Sequence, residues 1–254
     1  MAVMRLDKYI ADLGLASRRE TRELIHAGHI TVEGLGALMP DTKLDTDTAR
    51  VLLDGKKLCY RRYHYYLLNK PAGILTATED RRQGTVLDLV SPEMRRMGLF
   101  PVGRLDKDTE GLLLLTDDGD FVHRVISPRS AIEKLYYAQV GGTVENADIL
   151  AFRDGVELKD GTRCLPAALV SLGAGECLVT VMEGKYHQVK RMLASRGKPG
   201  ERLERVAIGG LTIPDDLPRG GWCELDRERL FTLIREKVSV EKATEQLKKR
   251  QIFE

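Results

Sequence analysis

The sequence predicts an α+β protein in which a small helical unit precedes a larger, strand-rich part. Within residues 5–34, Leu6, Ile10 and Leu13 recur at the spacing of one helix face. From Tyr65 onward, short apolar runs bounded by turn residues predict strands with interspersed helices. With 254 residues and 43% hydrophobic composition, the chain is long enough to bury a core in two domains.

The chain divides into three expected parts: a first domain at 1–60, a main domain at 61–234, and a charged helical tail at 235–254. The net charge of +2 means that any affinity for nucleic acid must come from local clusters. The chain contains no apolar run of about 18 residues, so we expect no membrane association. The four cysteines form no CxxC pair and the first residues lack a signal-peptide pattern, which favours a cytoplasmic protein without a metal site.

Local sequence signals indicate where the helices of the first domain begin and end. Gly14 is expected to end the first helix, and Gly28 the second. Ser17 and Glu20 match the capping box that begins the second helix. A short strand is expected over residues 30–32, immediately after that helix.

Two Asp-Gly pairs predict hairpin turns, at Asp54–Gly55 and at Asp118–Gly119. Between the two turns, the leucine run at 112–115 predicts a buried strand. The acidic residues that follow this run are therefore expected to be structural.

Arginines share one side of the second predicted helix. Arg18, Arg22 and His26 are spaced by four residues, and Arg19 lies beside them. Such a face is either a solvated surface or a site for phosphate oxygens. The stretch RLDKYIADLGLASRRETRELIHAGHITVEG resembles the alpha-L RNA-binding motif, which implies that these arginines contact RNA.

A second basic region covers residues 185–206, with seven Lys and Arg residues against two Glu. Tyr186 and His187 lie among the charges, and flat rings next to basic groups suit RNA with splayed bases. The alternative is a charged surface helix.

The acid-rich stretch VGRLDKDTEGLLLLTDDGD at 102–120 admits several interpretations. Its acids approach the spacing of a calcium loop, but the leucine run occupies positions that such a loop leaves hydrated. Asp106 and Glu110 could form a glycosidase pair, although residues 102–120 contain no aromatic sugar platform. A single nucleophilic aspartate on a turn before a buried strand also fits. The stretch also fits a set of acidic residues that lie on turns and have no catalytic role.

GRLDKDTEGLLLLTDDG closely resembles the catalytic signature of pseudouridine synthases, and the alpha-L motif in front resembles the RsuA branch, which modifies small-subunit ribosomal RNA. The resemblance extends from Met4 to about Ile234. Its further anchors, in chain order, are YYLLNKPAG, SPRSAIEKLYYAQV, EGKYHQVKRM and VAIGGLTI.

The resemblance implies a role for individual residues. Asp106 corresponds to the catalytic aspartate, and Arg104 to the arginine that holds the displaced nucleotide. Tyr136 corresponds to the tyrosine under the target base. Lys190 corresponds to the basic partner of the aspartate, with Arg191 as the alternative. Arg18, Arg19, Arg22, Lys185 and Arg191 are expected to contact RNA.

The resemblance also implies a mixed, largely antiparallel sheet with a central cleft, tethered behind the small helical RNA-binding domain. The reaction would isomerise a uridine of 16S ribosomal RNA to pseudouridine on a flipped-out nucleotide, without a metal or other cofactor. Attack on the anomeric carbon, proton abstraction from the ribose and attack on the uracil ring all remain open. The partner would be ribosomal RNA or a small-subunit assembly intermediate, bound by a monomer. The alternative is a non-catalytic RNA-binding or ribosome-assembly factor on the same fold.

Overall fold

The computed structural model describes residues 3–251 and contains two compact units. The first unit is Met1–His64 with Val90–Leu99, and the second is Tyr65–Leu89 with Phe100–Glu254. Residues 1–2 and 252–254, which belong to the expected first domain and tail, lie outside the described residues. None of the helices within 3–251 combines the length and the apolar composition needed to cross a membrane.

The first unit consists of three helices and two small sheets. Strand β1 pairs antiparallel with β3, and β4 lies between β2 and β5 in a three-stranded sheet. The elements are β1 (Val3–Arg5), α1 (Leu6–Asp12), α2 (Arg18–His26), β2 (Ile30–Val32), β3 (Lys43–Asp45), β4 (Val51–Leu53), β5 (Lys56–Lys57) and α3 (Pro92–Arg96).

Local sequence signals explain the start of α2 and the turn between β4 and β5. Ser17 Oγ accepts from the Glu20 amide at 3.2 Å, and the Glu20 carboxylate accepts from the Ser17 amide at 2.7 Å. This confirms the capping box, which satisfies two amides that the helix itself cannot pair. Asp54 and Gly55 have φ angles of 48° and 76°, which confirms the first hairpin turn.

The second unit is built on a nine-stranded sheet with the strand order β10-β11-β9-β12-β8-β6-β14, and with β13 beside β12 and β7 beside β8. All pairs are antiparallel except β8 with β12, so the expected α+β class and largely antiparallel sheet are confirmed. Its strands are β6 (Tyr65–Lys70), β7 (Phe100–Pro101), β8 (Glu110–Thr116), β9 (Lys134–Val140), β10 (Ala168–Gly173), β11 (Glu176–Val181), β12 (Gly200–Ile208), β13 (Leu211–Thr212) and β14 (Trp222–Glu224).

Helices cover both faces of this sheet. They are α4 (Gly119–Ile126), α5 (Asn146–Asp154), α6 (Gln188–Ser195), α7 (Arg227–Leu233) and α8 (Val240–Gln251), with short 3-10 turns at Val86–Leu89 and Pro128–Ser130. Successive residues of β9 point to opposite faces. Ala138 packs in one core with Phe152 of α5 and Met192 of α6. Tyr137 packs in another core with Leu247 of α8, so the charged tail is helical and contributes apolar side chains to the second unit.

The expected hairpin at Asp118–Gly119 is wrong, because this pair begins helix α4. The Asp118 carboxylate accepts from the Phe121 amide at 3.0 Å and from the Tyr65 hydroxyl at 2.7 Å. A capping aspartate and a turn aspartate share the same residue preference, and here the buried carboxylate serves as the cap. The predicted buried strand is confirmed, since Leu112 to Leu115 are each at most 1% exposed in β8.

Candidate active site

A buried lysine fixes the turn that carries Asp106. Lys70 ends strand β6, and its side chain lies in the core with 0% exposure. Its ammonium donates to the backbone carbonyls of Pro71 at 3.0 Å, Asp106 at 3.2 Å, Lys107 at 3.2 Å and Thr109 at 2.9 Å. Burial lowers the pKa of Lys70 to about 8, so the group is still largely protonated at neutral pH. The Lys70 ammonium therefore places a positive charge at the centre of the turn, where it is hydrogen-bonded to four backbone carbonyls.

A second set of hydrogen bonds holds the preceding residue of the turn. Thr76 Oγ1 donates to the Leu105 carbonyl at 2.7 Å and accepts from the Leu105 amide at 3.2 Å. Both backbone groups of Leu105 are thus paired by one side chain. Together with the Lys70 ammonium, Thr76 restricts the direction in which the Asp106 side chain can leave the backbone.

Two basic side chains from the start of α6 reach the Asp106 carboxylate. Lys190 Nζ lies 3.7 Å from Oδ2, and His187 Nε2 lies 3.3 Å from Oδ1. The Lys190 ammonium also forms an ion pair with Asp108, which holds the pKa of Asp108 below its usual range. The Asp106 side chain is 26% exposed, so it is partly desolvated yet still open to a ligand.

The start of α6 is itself rigid. His187 has left-handed backbone angles (φ 47°, ψ 36°) and precedes the first helical residue. The Gln188 side chain accepts from the Lys185 amide at 2.9 Å and donates to the Glu183 carboxylate at 2.9 Å. Glu183 is 7% exposed, so this network is a buried one. A non-glycine residue holds a left-handed conformation only when its surroundings impose it.

The Asp106 turn and the start of α6 border an open cleft. Four of the expected residues line this cleft: Arg104, Asp106, Tyr136 and Lys185. Tyr136 projects from β9 on the face that carries Ala138, and it is half-buried against the core there. Arg104 is exposed at the rim. An aromatic face and a carboxylate therefore lie in one recess.

Lys190 and Arg191 point in different directions, as neighbours on a helix do. Lys190 faces Asp106, whereas the Arg191 guanidinium lies 2.5 Å from the Asp160 carboxylate and holds the pKa of Asp160 at about 2. Of these two residues, the structure therefore places Lys190 beside Asp106. Lys185 is paired with Glu183.

The remaining expected RNA contacts lie in the first unit. Arg18, Arg19 and Arg22 are exposed on α2. Arg19 forms an ion pair with Glu23 at 3.6 Å, and both side chains are largely exposed. Exposed ion pairs of this kind contribute little stability. The Arg19 guanidinium can therefore exchange a carboxylate for a phosphate at little cost.

Two alternative interpretations of the acid-rich stretch do not fit the geometry. The second half of a calcium loop would fall on residues 112–115, which lie in the buried strand β8. Glu110 is engaged by Arg202 at 2.9 Å and by Arg219 at 3.5 Å, so it does not pair with Asp106 in the manner of a glycosidase. Within residues 3–251, no three His, Cys, Asp or Glu side chains are grouped to hold a metal ion.

His187 and Lys70 were not among the active-site residues expected from the sequence. The sequence places His187 between Tyr186 and Gln188, and nothing local indicates that it meets an aspartate 81 positions earlier. Lys70 stands at the end of a strand that is otherwise mostly apolar, where a charged residue is rare unless it is paired. That position is the one signal that could have singled it out.

Two further cations are buried on the same side of the sheet as Tyr136. Lys134 lies two residues before it on β9, and Arg205 is its register partner on β12. Within the described part of the chain, no hydrogen-bond partner reaches Lys134 Nζ or Arg205 Nη2. Burial, and next the charge of Arg205, lower the pKa of Lys134 to about 8. The sheet beneath the cleft therefore carries excess positive charge.

Comparison with known proteins gives two family matches. The RNA pseudouridylate synthase model matches residues 64–195, and the S4 domain model matches residues 4–37. The chain is 39% identical to the uncharacterized RNA pseudouridine synthase YtzG of Bacillus subtilis, across 91% of this chain and 98% of that protein. It is 37% identical to ribosomal small subunit pseudouridine synthase A of Pseudomonas aeruginosa, across 91% of this chain and 100% of that protein. A crystal structure of a pseudouridylate synthase superimposes with a TM-score of 0.64 at 30% identity, covering 91% of this chain and 99% of that one.

The fold, the cleft and these matches define an RNA-modifying isomerase with an S4 domain in front. The similarity to known enzymes extends over both parts of the chain. The chain belongs to the RNA pseudouridylate synthase family. The family resemblances that the sequence carries are thereby confirmed.

Proposed function

We propose that the chain isomerises one uridine of 16S ribosomal RNA to pseudouridine, with Asp106 as the reacting carboxylate. The position of that carboxylate carries the proposal. It stands in a cleft beside an aromatic ring, and a basic group meets each of its oxygens, at 3.3 and 3.7 Å. The names of the relatives from Pseudomonas aeruginosa and Vibrio cholerae, both ribosomal small subunit pseudouridine synthase A, support the small-subunit target.

The geometry suits a reaction in which the base detaches and returns. The bond between N1 of uracil and C1′ of the ribose breaks, a bond from C5 to C1′ forms, and the proton lost from C5 is balanced by one gained at N1. The Asp106 carboxylate lies beside Lys190 and is available either to attack C1′ or to take a proton from the ribose. Tyr136 offers a face on which the detached ring can stack. The positive charge of Lys134 and Arg205 favours the electron-rich base as it leaves.

RNA binding offsets the cost of extracting the uridine. Flipping a nucleotide out of its helix costs a few kcal/mol. The exposed arginines of α2 are suited to phosphate contacts that supply this energy. Arg104 at the rim of the cleft is positioned to hold the displaced nucleotide. We assign the enzyme to the cytoplasm as a monomer that acts on ribosomal RNA or on a small-subunit assembly intermediate.

The test is to map pseudouridines in ribosomal RNA from cells with the gene, without it, and with an Asp106→Asn copy. The expected result is one 16S position that loses its pseudouridine in the deletion strain and regains it only with the wild-type copy. A modification confined to 23S RNA would contradict the proposed target. Full restoration by Asp106→Asn would contradict the proposed role of the carboxylate.

A further inference from the structure

An exposed ring stack leads outward from the candidate catalytic carboxylate. The ring of Tyr186 lies parallel to that of His187, with centroids 3.9 Å apart and an interplanar angle of 16°. His187 is in turn 3.3 Å from Asp106. The three groups therefore form a short column that begins at the carboxylate in the cleft and ends in solvent.

The outer end of the column is open. Tyr186 is 73% exposed, which is more than any other large hydrophobic residue in the described part of the chain. His187 covers one face of its ring, so the exposed area belongs mainly to the other face and to the edges. The separation of the two rings resembles the spacing between stacked bases. A further flat ring could thus continue the column without any rearrangement.

The basic groups of residues 185–191, which cover this loop and the first turn of α6, are already paired with carboxylates. Lys185 binds Glu183, Lys190 binds Asp106 and Asp108, and Arg191 binds Asp160. A phosphate would have to displace one of these carboxylates. What the loop presents without displacement is the ring of Tyr186. The loop is therefore better suited to a nucleobase than to the RNA backbone.

The loop is also held in place before any ligand arrives. The left-handed backbone at His187 and the buried network of Gln188 with Glu183 fix the residues on either side of the stack. The Arg191 guanidinium donates to the Tyr186 carbonyl at 3.4 Å and is anchored by Asp160. Little side-chain entropy is then lost on binding, which favours affinity.

We infer that Tyr186, supported by His187, is a stacking subsite for the base next to the target uridine. The inference rests on the proposed function, because it takes the uridine at Asp106 as its reference point. When the target nucleotide leaves its helix, its neighbour loses a stacking partner, and the Tyr186 ring replaces it. Tyr136 and Tyr186 would then receive different bases, the reacting one and an adjacent one.

The experiment compares kcat/KM for wild type, Tyr186→Ala and Tyr186→Phe on an RNA fragment that spans the mapped uridine. Each enzyme is also given fragments with an abasic site on the 5′ or the 3′ side of that uridine. We expect Tyr186→Ala to lose about tenfold on intact RNA, as a base–aromatic stack predicts, and Tyr186→Phe to stay near wild type. On one of the abasic fragments, wild type should fall to the level of Tyr186→Ala, and the variant should lose nothing further.

Trp222→Ala is the matched control, because Trp222 is a partly exposed aromatic residue on β14, at the edge of the same sheet. Its kcat/KM should match that of wild type on the intact fragment and on both abasic fragments. Equal losses by Tyr186→Ala on intact and both abasic fragments would overturn the subsite, since the ring would then serve only to shape the loop. So would no loss at all. Failure of wild type to modify any fragment or cellular 16S RNA would instead contradict the proposed function. If Tyr186→Ala melts below wild type, Tyr186→Leu is measured in its place.

Discussion

At the scale of single residues, the Asp106 carboxylate has a different basic neighbour on each oxygen. Lys190 shares its charge between Asp106 and Asp108, whereas the His187 ring contacts Asp106 through Nε2 and stacks on Tyr186. The arrangement leaves the partly exposed carboxylate only loosely paired, at 3.3 and 3.7 Å. A carboxylate held this loosely can still move toward a ligand.

Asp106→Asn should abolish pseudouridine formation and leave RNA binding within about twofold of wild type, because the amide keeps the shape and loses the charge. Single-turnover assays and filter binding measure the two quantities. Asp117→Asn is the control and should retain activity. An Asp106→Asn enzyme with near wild-type turnover would contradict the proposed role.

Lys190→Met and Arg191→Met should differ, because only Lys190 faces Asp106. Lys190→Met should lower kcat by about tenfold or more, shift the acid limb of the rate profile to higher pH, and let the pKa of Asp108 rise toward its ordinary value. Arg191→Met should leave that limb in place. Rate profiles from pH 5 to 9 and carboxyl NMR provide the measurement. Identical profiles for the two variants would count against the assignment.

At the scale of secondary-structure elements, the central feature is the Lys70 ammonium among four backbone carbonyls. It joins the end of β6 to the turn before β8, two strands that also pair with each other. A hydrophobic residue of equal length would remove one hydrogen bond from each of these carbonyls, although Asp106 and Lys107 would keep the amides of Thr109 and Gly73 as donors. The lysine therefore determines the shape of the turn as well as its stability.

Lys70→Met should lower the free energy of unfolding by about 3 kcal/mol, since the hydrogen bonds of the ammonium to four backbone carbonyls are lost. It should also lower kcat, because the Asp106 turn is no longer fixed. Urea denaturation and turnover measure both effects. Lys107→Met is the matched control, since Lys107 is an exposed residue of the same turn that donates to Gln83. A Lys70→Met protein with wild-type stability would contradict this role of the Lys70 ammonium.

Lys134 on β9 should make stability depend on pH. Its pKa is about 8 in the folded state and 10.5 as its ordinary value, so the unfolded state binds more protons between these values. Stability contributed by this group therefore rises as pH increases from 8 to 10.5. Lys134→Met should be more stable than wild type at pH 7, by up to about 3 kcal/mol, and the difference should shrink toward pH 10.5. Thermal unfolding at pH 7 and 10 tests this. A constant difference would be inconsistent with a buried charge.

Elements with local signals could be predicted from the sequence, and elements defined by distant partners could not. The Ser17–Glu20 cap and the 112–115 strand rest on neighbouring residues, and both were predicted correctly. Asp118–Gly119 was misinterpreted because caps and hairpins favour the same pair, and the buried Tyr65 hydroxyl that helps decide between them comes from another strand.

At the scale of the whole molecule, the two compact units divide the proposed work. The cleft lies in the second unit and the exposed arginine face of α2 in the first. The family resemblance assigned the candidate aspartate, tyrosine and lysine from the sequence, and all three lie at or beside the cleft. It did not supply His187, whose position depends on a backbone conformation that the sequence does not reveal. Nor did it show that residues 90–99 cluster with the first unit.

Replacing Arg18, Arg19 and Arg22 together by Gln should raise KM and leave kcat nearly unchanged. The slope of log Kd against the logarithm of the salt concentration should become less steep, by the amount that corresponds to the loss of about three phosphate contacts. The triple substitution tests RNA contact more directly than a deletion of residues 1–60 does. The segment Val90–Leu99 belongs to the same unit and would lose its packing in the deletion. Arg50→Gln is the control, an exposed arginine of that unit paired with Glu33. An unchanged salt slope would exclude the α2 face as a phosphate site.

The parallel pairing of β8 with β12 has a consequence for the order in which the protein becomes competent during synthesis. The strands that pair around the cleft are not all present until residue 208 has been made, whereas every strand of the first unit lies before residue 58. At typical elongation rates this interval lasts roughly ten to thirty seconds. During that time the nascent polypeptide exposes its arginine-bearing helix while the catalytic half is still unfolded. The chain can thus engage nucleic acid on the translating ribosome well before it can modify any.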